Sequence, residues 1–442
     1  MMELEPLYTA AEMKAAEAGH DVDTLMDRAA RAVADAVRAR YPDAQRIRAV
    51  CGKGANGGDG RIAVNLLREA GLDAEESTEL EGADVVIDAL FGTGFSGAPR
   101  AEAAELIGRI NTAGAAVVAV DIPSGVDASS GEVPGEAVQA HLTVTMHGVK
   151  VGLEVGPGLF HAGEVVLADI GLEDSVTEQA LVGEEILARV PRKGPGQNKY
   201  TAGSVLVVGG SPGMSGAAAL TARAAFRADA GYVAVAAPKD SLLVLETLVL
   251  EAVKRPLAEA LDAAGRARAL ALGPGLGRGE EQRELVRRLL VETDVPAVVD
   301  ADALHELEPL ERGAATVLTP HSGELGRLLG EEAAWVDAHR LEALRRAVAR
   351  FGCVVLLKGP DTLVGAPGQG VLVVGANEPG LATAGTGDVL TGIIAAFLAK
   401  GMDGRWAAAA AAVAHRRAAR AAAKPAGLIA SDVVEALPAA LS

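Results

Sequence analysis

Short apolar runs alternate with longer stretches of helical spacing along the whole chain. The short runs, rich in Val, Ile, Leu and Ala and bounded by glycine or polar residues, read as buried strands. The stretches between them, apolar every three to four residues, read as amphipathic helices. In the first half this pattern predicts a helical pair over Ala10–Arg40, a strand at Ile47–Cys51, a glycine loop and a helix over Asp59–Ala70. A strand at Val85–Leu90, a helix at Ala101–Thr112 and a strand at Ala116–Val120 follow, and His141–Leu172 is richer in β patterning. The second half predicts strands at Ser204–Val208, Ala267–Leu272, Ala297–Val299, Thr316–Leu318 and Val354–Leu357, then helices at Val389–Ala399 and Trp406–Ala423.

Such alternation predicts an α/β protein with parallel sheets, since parallel neighbours need a crossover that a helix supplies. It is broken once, at Arg189–Lys199, where Pro191, Gly194, Pro195 and Gly196 stand among polar residues as in a linker. A chain of 442 residues exceeds one ordinary core. We therefore expect two domains, residues 1–188 and 189–442.

Composition narrows the partners. A net charge of −18 and an isoelectric point near 5.0 argue against nucleic acid or an anionic membrane, which would be repelled over most of the surface. Aromatics at 3% leave little for base stacking. A small anionic ligand stays compatible, because backbone N–H groups and a few local cations suffice to hold it. Mean hydropathy is positive, +0.24, yet apolar stretches such as Val389–Ala399 fall short of the ~20 residues that span a bilayer. The opening MMELEPLYTA lacks the basic start and apolar run of a secretory leader, so a cytoplasmic location is expected. Cys51 and Cys353 lie in separate apolar runs without metal-ligand spacing and read as small core residues.

Three glycine-rich segments of the first half sit at the ends of expected strands: Ala55–Gly60 (ANGGDG), Asp88–Gly94 (DALFGTG) and Asp121–Asp127 (DIPSGVD). In an open parallel sheet the carboxyl ends of the strands meet in one crevice, so Asn56, Asp88, Asp121 and Ser124 should converge there. These segments, with Thr143–Thr145 and Lys150, resemble the NAD(P)HX epimerase domain of the YjeF N-terminal type over about residues 1–175. The resemblance implies a Rossmann-like three-layer sandwich that interconverts the epimers of hydrated NADH and NADPH. It implies that Asn56, Asp88 and Ser124 bind K⁺, and that Asp121 is the acid/base at the carbinol. Ala55, Asn56, Gly57, Gly58 and Asp59, with Gly92, Thr93, Gly94, Phe95, Ser96 and Gly97, would cradle the hydrated dinucleotide. Ala55 stands where the family usually has Asn, and His141 where Asp is common.

The sharpest motif is Gly385–Asp388 (GTGD), leading into an apolar helix. Backbone N–H groups at such a start can hold a transferring phosphoryl group, and Asp388 would be the general base for an acceptor hydroxyl. With Asn198–Tyr200, Gly203–Ser211, Gly213–Ala218, Gly273–Gly277, Asp300–Leu304, Thr319–Leu325, Leu357–Thr362 and the whole run Asn377–Gly392, the half resembles ADP-dependent NAD(P)HX dehydratases of ribokinase-like fold. That implies a second three-layer sandwich. Lys358, Gly359, Pro360, Asp361, Thr362 and Gly387 would contact ADP or ATP, with Mg²⁺ neutralising the phosphates. Ala217, Gly275 and His321 would line the pocket for hydrated NAD(P)H. The resemblance also implies a homo-oligomer. A ribokinase-like kinase acting on a vitamin-precursor alcohol is the alternative reading, with the N-terminal half as a scaffold without turnover.

Overall fold

The structure is a computed structural model that describes residues 4–442 apart from Leu310, Asn377, Ala423 and Pro425. The first residue of the Asn377–Gly392 motif and the last of the Trp406–Ala423 helix thus lie outside the described residues. The chain forms two compact units, one of Glu5–Ala180 with Asp337–Leu341, the other chiefly of Leu181–Val336 and Glu342–Ser442. The change of unit falls ahead of the expected 188/189 boundary because Val182, Ile186, Leu187 and Val190 are buried in the core of the larger unit.

The smaller unit is built on a six-stranded parallel sheet in the order Asp73–Glu76, Arg46–Cys51, Val85–Ala89, Ala116–Val120, Leu142–Met146, Glu164–Ala168. Period-two alternation decides which face each residue joins. Ile47, Ala49, Val85 and Ile87 pack with Val33, Val37, Val64 and Leu67 of the helices Val22–Arg40 and Ala55–Glu69. On the opposite face Val50, Val86 and Val117 pack with Ile107 and Ile110 of the helix Ala101–Thr112. Each such Val, Ile or Leu side chain contributes about 1.5–3 kcal/mol by burial. The result is three layers.

In the larger unit the strands run Val371–Val374, Thr362–Gly365, Val354–Leu357, Thr316–Leu318, Ala297–Val299, Ala269–Leu272, Ser204–Val208, Tyr232–Ala237, Val253–Pro256. Pairing is parallel except at the Thr362–Gly365 hairpin strand, antiparallel to both neighbours. Val205, Val207, Val233 and Val235 meet the helices Ser215–Arg227, Thr386–Ala399, Gly404–Ala421 and Ala430–Ala440 on one face. Alanine and glycine dominate there because backbones come close: a Cβ on Gly392 would lie 2.3 Å from the Thr221 carbonyl oxygen. Leu206, Val208, Leu270 and Leu272 point the other way and are equally buried, with the helix Ala260–Ala264 against the Ser204–Val208 strand.

Local differences from the sequence reading have physical causes. The first-half glycine segment is helical from Ala55, not a loop up to Asp59, because Gly54 serves as the N-cap and the glycines admit close backbone. The GTGD helix likewise begins at Thr386 rather than Val389, and the next at Gly404 rather than Trp406. Asp73–Glu76, Tyr232–Ala237, Val253–Pro256, Thr362–Gly365 and Val371–Val374 are additional strands. Among the described residues no helix is long and apolar enough to cross a membrane.

Candidate functional site

Both sheets reverse strand order at one point, and both carry glycine motifs there. In the smaller unit the reversal lies between Arg46–Cys51 and Val85–Ala89; in the larger, between Ser204–Val208 and Ala269–Leu272. A crevice opens at the carboxyl ends of such strands, where ligands of doubly wound proteins bind. Each crevice has the same close approach. A Cβ on Gly52 would lie 2.0 Å from the Leu90 carbonyl oxygen, and one on Gly209 2.1 Å from that of Pro274.

In the smaller unit Asn56, Asp88 and Ser124 meet around Phe91. The Asn56 Nδ2 donates to the Phe91 carbonyl at 2.8 Å, and the Phe91 N–H to Ser124 Oγ at 2.8 Å. Ser124 in turn donates its hydroxyl and N–H to the two Asp88 oxygens, at 2.6 and 2.8 Å. Asp88 is wholly buried, and that burial pushes its carboxyl up to about 6 despite these bonds. An amide, a carboxylate and a hydroxyl offer only hard oxygen donors, a set that fits K⁺.

Asp121 follows the Ala116–Val120 strand with a left-handed φ of 69°, which a non-glycine residue holds only when its surroundings enforce it. Its Oδ1 lies 2.5 Å from Lys150 Nζ and accepts from the Met146 N–H at 3.1 Å and Thr145 Oγ1 at 3.3 Å. Lys150 is fully buried and also donates to the Met146 carbonyl at 2.6 Å. Asp59 lies near enough to Asp121 for their charges to interact. Burial first, then Asp121 and Glu17, push its carboxyl up to about 7, and its buried Oδ1 has no hydrogen-bond partner.

Ala55, Gly57 and Gly58 lie in the first turns of the Ala55–Glu69 helix; a Cβ on Gly57 would sit 2.0 Å from the Gly52 carbonyl oxygen. Gly92, Thr93, Gly94, Phe95, Ser96 and Gly97 form the partly exposed loop after Asp88, where Phe91 and Phe95 stack at 4.6 Å. His141 stands apart: its Nδ1 accepts the Val117 N–H at 3.0 Å, a bond within the sheet.

In the larger unit Asp388 lies in the first turn of Thr386–Ala399, whose N-cap Gly385 has φ 89°. Burial, followed by the charge of Asp300, pushes its carboxyl up to about 7, although Lys358 pulls the other way. Lys358 reaches the same place from the end of Val354–Leu357: a Cβ on Gly387 would lie 3.6 Å from its Nζ. Its ammonium is 2.7 Å from Asp300 Oδ1 and 3.7 Å from Glu324 Oε2. Burial disfavours that charge, but Asp300 and Glu324 prevail and hold the lysine above its ordinary value.

His321 caps the helix Ser322–Leu329: its Nδ1 accepts the Gly323 N–H at 3.0 Å while its Nε2 lies 3.5 Å from Glu324. Gly275 and Ala217 adjoin, since a Cβ on Gly275 would be 3.2 Å from that of Ala217. Gly359 and Pro360 form the turn after Lys358, and the buried Asp361 and Thr362 lead into the hairpin strand. Asp300 and Thr391 had no assigned role in the sequence, although Asp300 was visible as an aspartate closing an apolar strand, the placement that singled out Asp88 and Asp121. His415 was not foreseen either. It is buried in the helix Gly404–Ala421, beside Thr386, and burial pushes it down to about 4. A lone histidine in an alanine-rich helix carries no pattern that could have marked it.

Comparison with known proteins agrees with this division. The family described as NAD(P)H-hydrate dehydratase matches residues 205–439, and the YjeF-related protein N-terminus matches 22–76 and 72–152. The bifunctional NAD(P)H-hydrate repair enzyme of Moorella thermoacetica is 35% identical over 98% of this chain and 96% of its own. The enzyme of the same name from Coxiella burnetii is 35% identical over 96% and 95%. The ADP/ATP-dependent NAD(P)H-hydrate dehydratase of Bacillus subtilis, co-crystallised with ATP/Mg²⁺, superposes with a TM-score of 0.55 at 28% identity, over 58% of this chain and 96% of that one. The chain belongs to the family of bifunctional NAD(P)H-hydrate repair enzymes, an epimerase-type YjeF N-terminal domain fused to a ribokinase-like dehydratase domain.

Proposed function

We propose that this protein repairs hydrated nicotinamide nucleotides. The N-terminal unit interconverts the R and S epimers of hydrated NADH and NADPH. The C-terminal unit dehydrates the S epimer to NAD(P)H, converting ADP to AMP and phosphate. The observation that carries this reading is the meeting of Asp388, Lys358 and Gly387 at one glycine-framed helix start.

Hydroxide leaves a ring carbon poorly, whereas phosphate leaves readily. Asp388 takes the proton of the carbinol hydroxyl as its oxygen attacks the terminal phosphorus and displaces AMP, and loss of phosphate with a proton from the adjacent ring carbon then restores the dihydronicotinamide. Backbone N–H groups at Thr386–Asp388 and the Lys358 ammonium bear the negative charge that gathers on the phosphoryl oxygens. Mg²⁺ supplies further neutralisation on the nucleotide. Lys358, Gly359, Pro360, Asp361, Thr362 and Gly387 hold the nucleotide, and Ala217, Gly275 and His321 the hydrated substrate.

In the N-terminal unit Asp121, oriented by Lys150, takes the carbinol hydroxyl proton as the ring C–N bond opens and returns it as the nitrogen closes on the other face of the carbonyl. Asn56, Asp88 and Ser124 hold K⁺, which supplies a fixed positive charge beside the dinucleotide. Residues 55–59 and 92–97 cradle that ligand. Epimerisation returns the R form to the pool that the dehydratase accepts, so repair runs to completion. Assembly into a homo-oligomer is supported by the exposed apolar Leu243, Val244, Leu248, Leu250 and Val253 beside an edge strand.

The test is to incubate the protein with mixed epimers of hydrated NADH, Mg²⁺ and ADP or ATP, and to follow recovery of NADH absorbance. Full nucleotide-dependent recovery is expected. Absence of recovery with both nucleotides would overturn the reading.

A further inference from the structure

Asp300 closes the Ala297–Val299 strand at the carboxyl edge of the larger sheet and is almost wholly buried. Both of its oxygens are engaged. Oδ1 accepts from Lys358 Nζ at 2.7 Å, and Oδ2 from Thr391 Oγ1 at 2.7 Å. Thr391 is buried too, and it stands one helical turn beyond Asp388 on the same helix. One carboxylate therefore joins three elements remote in sequence: its own strand end, the loop that carries the nucleotide-site lysine, and the helix that carries the general base.

We propose that Asp300 is a positioning residue of the phosphoryl-transfer site, holding the Lys358 ammonium beside Gly387 and locking it to the helix of Asp388. The proposal rests on the reading of that site given above. A lysine side chain has several freely rotating bonds, and fixing it in one geometry before the nucleotide arrives lowers the cost of binding. A buried, doubly bonded carboxylate does this better than a surface partner, because water competes less for the bond. Two charges in so little solvent are tolerable only together, which fits the full engagement of Asp300.

The same carboxylate acts on Asp388 through space. The charged groups acting there are Asp300 and Asp302 from the strand end, Glu324 from the start of Ser322–Leu329, and Lys358. His321, which also feels Asp300 and Lys358, and the buried His415, which feels Lys358, complete the surroundings. Burial and the three carboxylates favour protonated Asp388, and Lys358 opposes them. Asp300 thus makes Asp388 a stronger proton acceptor near neutrality and restrains the cation that would weaken it.

Asp300→Asn keeps the shape but removes the charge and leaves one acceptor oxygen, because its amide nitrogen only donates. With the S epimer and MgATP or MgADP, the nucleotide KM should rise roughly tenfold and the acid limb of kcat should move down by about one pH unit. Thr391→Val removes one tether and no charge, so it should raise KM with the acid limb unmoved. It also serves if Asp300→Asn does not fold. Calorimetric affinity for MgATP, measured alongside, separates this proposal from the functional reading. Wild type that binds nucleotide but recovers no NADH would sink the functional reading, and the weakened affinity of both variants would still uphold the tether. Unchanged KM and nucleotide affinity in the folded variants would overturn the role of Asp300, as would an acid limb that stays in place in Asp300→Asn.

Discussion

Lys150 Nζ lies 2.5 Å from Asp121 Oδ1, the lysine wholly buried and the aspartate held at a left-handed φ of 69°. The pair fixes the carboxylate to which the proposed function assigns the acid/base role at the carbinol. Replacing Lys150 by Met would leave that carboxylate without its counter-charge in a poorly solvated place. The expected cost is about 3–5 kcal/mol of stability, with loss of epimer interconversion. Thermal unfolding and an epimerisation assay check both, and nucleotide-dependent dehydration of the S epimer should persist.

Asp121→Asn keeps the side chain's size and removes its basicity. With mixed epimers, recovery of NADH should halt once the S form is consumed, save for slow spontaneous epimerisation. Chromatography of the residue should find the R form. Complete recovery at the wild-type rate would mean that the N-terminal unit does not turn over.

Asp388 must be ionised to accept a proton, and burial with the Asp300 charge pushes its carboxyl up to about 7. The dehydration rate should rise with pH through that value and level off above it. Asp388→Asn should lose roughly 10²–10⁴-fold in kcat. Stability should move the opposite way. The native value lies above that of the unfolded chain, so ionising Asp388 costs native stability progressively between about pH 4 and 7, and fully above 7. The Asn variant should melt a few degrees higher than wild type at pH 8 and no higher at pH 4.

Exchanging K⁺ for a bulky organic cation should lower the epimerisation rate and the melting temperature of the N-terminal unit. Asp88→Asn should abolish the K⁺ effect, because it removes the negative donor among Asn56, Asp88 and Ser124. A melting temperature indifferent to K⁺ would count against the site.

Burial pushes the Cys51 thiol up to about 11 and that of Cys353 up to about 12. Thiolate is the reactive form, so both should resist alkylation at pH 8 in the native protein and react once it is unfolded. Timed labelling with mass analysis would show it.

Strand–helix alternation and the glycine-framed motifs made the α/β class and much of both sites legible from the chain alone. Those signals are local. A buried parallel strand needs a continuous apolar run, and close approach of backbone to backbone needs glycine at set positions, as at Gly57 and Gly209. Edge and hairpin strands such as Asp73–Glu76 and Thr362–Gly365 were not legible, since burial and pairing partners, rather than an intrinsic pattern, make them strands. Nor could the sequence set apart His141, whose ring serves the sheet. Asp300 marks the boundary between the two kinds of knowledge. The sequence offered an aspartate at a strand end, but its partners Lys358 and Thr391 lie 58 and 91 residues away. Only the folded sheet brings them within 2.7 Å, and only burial together with the nearby Asp300 charge pushes the Asp388 carboxyl up to about 7.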